Sequence, residues 1–532
     1  MSPKIKPRRC KAGRVPDTRQ PELFVEHAAG AESVNGLKSA PDEPEFLEGK
    51  PDEIFIGNQP LRQYLKANGQ YLSVSVWEIL KDQDYSVFDS KYSSRGRRAL
   101  HPRIILGLTV YGMLEKKWSL RELETLAIRD VGAWWICEGY QPDHSTIGNF
   151  INRHIDVLSE EFFISLTRSL TKKLRLKPSD VGIDGTIIEA ASSYRTALTE
   201  EAAKLRAEEM KKKSSQNLED ESLLKQSEEA EQAAQIAAAR VENQKQKGRR
   251  HTGTKVSATE PEAALQKQKD SNKRLSWKPS AMTHESGMII GQYMDATSET
   301  AAVKPLLKQH QDVFDAPPAT TLIDAGYNCF QVLQLFVDLD LDVLCPSGQN
   351  PKINDGKKCA KKGKFNKGEF HFDKKLNVFI CPAGKHLVCE KSGTESTGGP
   401  YRLYRCKHGE SCPLKDQCTS AKNGRSVKRY DGDEFKEAMI EVLKHPLARQ
   451  KYAKRMPIAE RPFAEMKHRQ NFRRFHRRGK AGARVEFALH SIAFNLKLVC
   501  GRLFLQYFWL YRLESGIISP IVAAIIIAKE FR

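Results

Sequence analysis

Long apolar runs are scarce in this chain of 532 residues. The most apolar stretch, residues 516–528 (GIISPIVAAIIIA), is interrupted by Pro520 and falls short of the ~20 apolar residues that a membrane helix requires. No membrane association is expected. The N-terminus is basic (KIKPRRCKAGR) and lacks the apolar stretch and small-residue cleavage site of an export signal. Cysteine is also sparse, 11 in all. Without an export signal these thiols are expected to be reduced side chains or metal ligands rather than disulfides, which suits a cytoplasmic protein. Acid is short as well: 66 Asp and Glu against 86 Lys and Arg leave a formal net charge of +20. The excess gathers at the N-terminus, at 363–375 and at 467–484. Such clusters favour a polyanionic partner, with generic solubility charge as the alternative.

Residues 1–50 are rich in Pro, Lys, Glu and Ala without apolar periodicity, and are expected to form a disordered basic N-terminus. Over 51–178 the pattern is helical. HPRIILGLTVYGMLEKKW (101–118) places apolar residues at three- and four-residue intervals, SLRE (119–122) is a capping box, and PDHSTIGNFINRH (142–154) opens a short amphipathic helix. Short helices with tight connections suit a helix-turn-helix-like DNA-binding domain, and equally a structural bundle.

The texture changes over 179–350. VGIDGTIIEA (181–190), ESGMIIGQYMDAT (285–297), ATTLIDAGYN (319–328) and LDVLCPSG (341–348) read as strands, and FQVLQLFVDL (330–339) as an apolar helix. Strands alternating with helices predict a mixed α/β domain. Two insertions interrupt it. Residues 199–270 are charged, and their first part (199–250) reads as a long solvated helix or helical pair without a clean heptad. Residues 351–443 are Lys- and Cys-rich; 444–505 return to helix, and 506–532 form an apolar tail.

Asp184 and Asp324 each follow apolar β-type residues and precede a small one. An Asp at a strand end of an open α/β sheet faces the crevice where ligands gather; a turn-forming or capping Asp is the alternative. A third acid lies in IAERPFAEMKHRQNFRRFHRRG (458–479), where Glu460 shares a helical stripe with Phe463, Ala464 and Lys467. Glu465 is rotated away and suits a local ion pair with Arg461 or Arg469. Three such carboxylates can hold a pair of hard divalent cations, which ~3.5–4 Å apart serve in-line attack on a phosphodiester. Read as a helix, 468–484 turns Phe472 and Phe475 to the core and Arg473, Arg474, Arg477 and Arg478 outward to meet phosphates.

Cys381, Cys389, Cys406, Cys412 and Cys418 fall in the second insertion, with Cys345 and Cys359 just before it. Cys406, Cys412 and Cys418 are spaced C-x₅-C-x₅-C, with Cys381 as a fourth zinc ligand and His408 as a substitute. A small Lys-laden segment is hard to fold without a staple. Plain reduced thiols are the other reading.

IDGT (183–186), IDAGYN (323–328) and the set Tyr452, Arg455, Glu460 and Lys467 resemble the acidic triad and Y-x-x-R…E-x₆-K signature of bacterial insertion-sequence DDE transposases. WSLREL and PDHSTI (142–147) are similar to that family's N-terminal domain, and CPLKDQCTS (412–420) to the Cys-bearing insertion of one branch. Four residues separate Arg455 from Glu460, where the family has three. The resemblance implies an RNase H-like mixed sheet with flanking helices, interrupted by two insertions and preceded by an all-α N-terminal domain. It implies Asp184, Asp324 and Glu460 as ligands of Mg²⁺ or Mn²⁺, and Tyr452, Arg455 and Lys467 as contacts to DNA near the scissile phosphate. The implied function is cleavage and transfer of strands at transposon ends, by a homodimer on double-stranded DNA at the nucleoid. The alternatives are a catalytically inactive RNase H-fold DNA-binding protein and a zinc-dependent nucleic-acid-binding module.

Overall fold

The computed structural model describes residues 44–514 except 94–96, 194–196, 218, 247, 249–253, 269–270, 347–364, 366, 396–398, 408–411 and 422, with backbone alone for 503–514. The N-terminus before 44, the tail from 515, Cys359 and His408 lie outside the described residues.

Helix α1 (Pro102–Leu114) is buried along most of its length because its apolar residues leave no polar face. Helix α2 (Leu120–Arg129) opens on the Ser119–Glu122 capping box, with both reciprocal bonds made. Asp143 caps α3 (His144–Arg153) by accepting from the Thr146 N–H at 2.6 Å. Helix α4 (Glu161–Lys173) follows. This region is mostly helical, yet it also carries two short strand pairs. Phe46–Leu47, inside the stretch expected to be disordered, pairs with Ala99–Leu100, and Phe55–Ile56 pairs with Gln59–Pro60.

Strand β1 (Asp180–Gly185) begins the central sheet. A hairpin of α5 (Glu200–Gln216) and α6 (Glu221–Gln246) interrupts the sheet; it packs on Ala203, Ala237 and Val256 and leaves its charged faces to solvent. The charged insertion is therefore a helical pair. Then come β2 (Lys273–His284), β3 (Ile289–Asp295), α7 (Val303–Phe314), β4 (Thr320–Leu322), α8 (Phe330–Asp338) and β5 (Val343–Leu344). The strand order is β3-β2-β1-β4-β5. Strands β1, β2 and β3 pair antiparallel, while β1, β4 and β5 pair parallel. This is the RNase H-like arrangement.

The second insertion is an antiparallel meander of β6 (His371–Asp373), β7 (Val378–Ile380), β8 (His386–Glu395), β9 (Gly399–Cys406) and β10 (Ser426–Tyr430). It has its own core of Phe370, Phe379, Leu387, Tyr404 and Val427. Helices α9 (Asp433–Val442), α10 (Pro446–Ala453), α11 (Arg455–Ala459) and α12 (Arg461–His468) lead to the long α13 (Gly479–Glu514). Helix α13 buries Phe487, Leu489, Ile492 and Leu496 in the same core that holds Leu106 and Trp135 of the N-terminal helices and Trp277 of β2. The helical region and the sheet thus share one hydrophobic interior. No helix among the described residues is long and apolar enough to cross a membrane.

Candidate active site

The parallel register of β1 and β4 ends at the pair Gly182–Leu322. Two residues further along each chain come Asp184 and Asp324, so the two acids leave neighbouring strand ends at the same level, with ~4.8 Å between such strands. Helix α11 lies across β1 at Gly182. A Cβ there would stand 2.9 Å from the Ala459 Cβ and 3.1 Å from the Ile458 Cγ2, so only glycine permits this approach. Gly182 and Asp184 share a face of the strand, and the residue after Ala459 is Glu460. The helix therefore delivers Glu460 to the Asp184 end of the sheet. Pro462, without an N–H, cannot continue the ladder of α11, so Glu460 sits at the joint of α11 and α12. Gly182→Ala is expected to lower stability by about 1–3 kcal/mol, because the added methyl overpacks the α11–β1 contact. Urea unfolding monitored by circular dichroism checks it, and an unchanged midpoint would contradict the packing.

Burial pushes the Asp184 carboxyl up to about 6; the Arg455 guanidinium and the Gly185 N–H oppose that, and the negative charges of Asp324 and Glu460 add to it. The three acids thus share one electrostatic neighbourhood. Glu460 Oε1 accepts from Arg455 Nη2 at 3.0 Å, so the extra residue between them does not keep the pair apart. Arg455 is mostly buried, and its Nη1 has no hydrogen-bond partner among the described residues. Tyr452 packs on Leu322, Leu344 and Ile458, and burial pushes its phenol up to about 12, with Arg455 opposing. Asp324 Oδ1 accepts from the Gly326 N–H at 2.7 Å. Lys467 Nζ donates to the Thr186 hydroxyl and to the Ile187 carbonyl, just past Asp184. Arg461 Nε reaches Glu465 at 3.3 Å, the local pair expected for that glutamate. Cys345 Sγ donates to the Asp324 carbonyl at 3.2 Å from beneath the site, and burial pushes its thiol up to about 12.

The basic block departs from the helical expectation. Helix α12 ends at His468, and 469–478 is an irregular, extended segment. Phe472 and Phe475 are buried as expected, but tertiary partners set the backbone. Glu189 exchanges main-chain hydrogen bonds with Arg473 (3.2 Å) and Phe475 (2.8 Å). The buried Glu486 carboxylate accepts from the N–H groups of His476 (2.9 Å) and Arg477 (2.8 Å). Buried Glu260 accepts from the Gly479 N–H at 3.0 Å. Two of the four arginines are engaged by the protein's own groups. Arg474 donates to the Ala190 (3.2 Å) and Ala191 (2.6 Å) carbonyls. Arg477 donates to Asn152 at 3.0 Å, and burial lowers its pKa. Arg473, Arg474 and Arg478 are exposed, and Arg473 Nε makes a long contact of 3.4 Å to the Lys467 carbonyl. Glu486 left one signal in the sequence, a charge in an otherwise apolar helix, which demands a partner when buried.

Sequence reasoning also missed Glu299. It pairs with Lys278 at 3.1 Å, and a Cβ on Gly185 would meet its Cγ at 2.9 Å. Burial raises the Tyr327 phenol, and Glu299, Asp184 and Asp324 raise it further, so four acids surround the strand ends. Among the described residues no three His, Cys, Asp or Glu side chains are already drawn together as a metal cage; Glu460 is turned to Arg455 instead. The donor chemistry nevertheless fits a hard divalent cation, because Asp184, Asp324 and Glu460 offer only carboxylate oxygens and the buried Asp184 anion is opposed by its acidic neighbours.

Cys381, Cys406 and Cys418 pack on the core of the insertion sheet, with no three cysteines drawn together as a metal cage among the described residues. Burial raises the Cys418 thiol; Arg425 opposes, and Cys381, Cys412 and Cys406 each push it further. The Lys385 N–H donates to Cys381 Sγ at 3.3 Å. All four are free thiols, and Cys389 lies exposed on β8.

Two family models match parts of the chain. A family model described as Transposase DDE domain matches residues 380–500, which hold the cysteines and Glu460. A second, described as Transposase domain (DUF772), matches residues 72–153 in the N-terminal helices. No curated protein matches the chain. With an RNase H-like sheet between these two matched stretches, the chain is similar to insertion-sequence DDE transposases.

Proposed function

We propose that the chain binds the ends of a mobile element and catalyses cleavage and transfer of DNA strands. The observation that carries this reading is the β1–β4 register that levels Asp184 with Asp324 beside the helix joint bearing Glu460. Mg²⁺ or Mn²⁺, as a pair of ions held by these three carboxylates, would activate the attacking oxygen and neutralise the leaving one. The protein's own groups do the positioning, which supplies much of the barrier reduction. Arg455 presents a buried, unpartnered Nη1 to a phosphate oxygen. Tyr452, its phenol pushed up to about 12, stays protonated at neutral pH and can donate a hydrogen bond to a phosphate oxygen. Lys467 holds the backbone beside Asp184, and Arg473 and Arg478 contact flanking phosphates. Arg474 and Arg477 serve DNA binding by bracing that segment. Two element ends call for two active sites, hence a homodimer on double-stranded DNA, acting in the cytoplasm at the nucleoid. Supercoiled DNA carrying the element's own ends tests the reading: nicking with Mg²⁺ is expected, and no nicking with any divalent cation would overturn it.

The packing of Cys381, Cys406 and Cys418 on one core, with Cys412 acting on the Cys418 thiol, supports a structural Zn²⁺ that would be held by these four cysteines. The purified chain is expected to carry a single zinc ion by elemental analysis, and Cys412→Ser to lose it. Protein purified without chelators that contains no zinc would remove the site.

A further inference from the structure

We propose that the insertion sheet carries a second phosphate-binding cleft, which holds DNA backbone on a surface separate from the acidic triad; this rests on the DNA-acting reading above. The cleft, about 240 Å³, lies along the edge strand β10 and is lined by Lys367, Arg425, Lys428, Lys436, Tyr430 and Asp433 among others. None of the triad residues lines it. Four cations face one acid there, and that acid is already engaged. Buried Asp433 accepts from Lys367 Nζ at 2.5 Å and from the Tyr430 N–H at 2.9 Å, with Lys436 at 3.8 Å. Lys428 pairs outside the cleft with Glu395.

Arg425 is the cation left over. Its guanidinium lies 5.7 Å from the centre of the Phe370 ring, its Nη2 makes a long contact of 3.4 Å to the Phe365 carbonyl, and its buried Nε has no partner among the described residues. Among the described residues no carboxylate pairs with it. Burying a guanidinium N–H without an acceptor is costly, and a phosphate oxygen supplies an acceptor in the geometry that the guanidinium fork matches. Ring contacts hold two of the cations in place before any ligand arrives: Lys367 lies over Tyr430 at 5.7 Å and Lys428 over Tyr401 at 4.6 Å. Four of the eight lining residues are cationic, which suits the repeating phosphates of a duplex better than an apolar small molecule.

The test is the salt dependence of binding by the full chain to a short duplex of arbitrary sequence, read by fluorescence anisotropy. Each phosphate contact contributes about 0.9 to the slope of log affinity against log salt. The Arg425→Gln, Lys436→Gln double variant is expected to flatten that slope by about 1–2. Arg425→Lys, which keeps the charge, is expected to hold the slope near wild type. A double variant with the wild-type slope overturns the inference, and so does an Arg425→Lys loss as large as that of Arg425→Gln, since the effect would then be structural. The two readings fail separately. A wild-type chain that never nicks DNA removes the catalytic proposal, whereas a chain that nicks but keeps its slope in the double variant removes only the cleft.

Discussion

Asp184→Asn, Asp324→Asn and Glu460→Gln are each expected to slow strand cleavage by at least about 10³-fold, the loss that follows when a cation supplying several kcal/mol of charge stabilisation is no longer held. The three acids come from β1, from the turn after β4 and from the joint of α11 and α12, and Gly182 lets that helix lie close on the strand. If they hold the cations as one unit, as proposed, any double substitution should cost little more than a single one. Duplex affinity should change little, since phosphate contact is assigned to cations. Asp184→Asn removes a buried anion that its neighbours oppose, so this variant should fold at least as well as wild type in chelator. Initial nicking rates and anisotropy titrations on the same preparations separate the outcomes. Losses that multiply across the three positions would mean three independent roles.

Glu138→Ala is expected to destabilise the N-terminal helices by about 3–5 kcal/mol, the cost of stripping one partner from a buried ion pair. The Glu138 side chain is fully buried. One oxygen accepts from Trp77 Nε1 at 3.0 Å and from Arg103 Nε at 2.7 Å, and the other from the Gly49 N–H at 2.9 Å. This carboxylate therefore ties the strand at 46–47 to the helix carrying Trp77 and to α1. Gly49 fits so closely that a Cβ would stand 2.0 Å from the Glu138 carbonyl oxygen. Without the carboxylate, Arg103, 11% exposed, keeps among the described residues only the Glu48 carboxylate at 3.5 Å. Glu138→Gln, which retains an acceptor, should lose less. Urea unfolding of the three proteins gives the comparison, and a loss for Glu138→Ala below about 1 kcal/mol would place the pair with weak surface bridges.

The elements bearing Asp184 and Asp324 were legible because β-branched runs closed by small residues leave a local trace. Strand β2, the longest of the central sheet, was not. Its sequence mixes Lys, Arg, Trp277 and Pro279, and a proline argues against a central strand. The structure resolves the conflict: Pro279 lies where pairing on that side passes from Gly185 to Ile188, and the Thr186 N–H donates to its carbonyl. The insertion meander hid for another reason. Strand β8 is mostly exposed on both faces, so charge masks its alternation. The basic block read as helix because local periodicity allowed it, while the carboxylate of Glu486 and the main chain of Glu189 overrode that preference from a distance. The juxtaposition of the acids could not be read locally at all, since strand register is a non-local property.

The account rests on a cation-dependent centre built from Asp184, Asp324 and Glu460, and cleavage of a duplex carrying the element's ends by wild type and by the Asp184→Asn, Glu460→Gln double variant tests it most directly. Wild type should cut at the element boundary with Mg²⁺ or Mn²⁺ and stop in chelator, and the double variant should bind without cutting. Equal cutting by the two proteins, or cutting by wild type that persists in chelator, would contradict it.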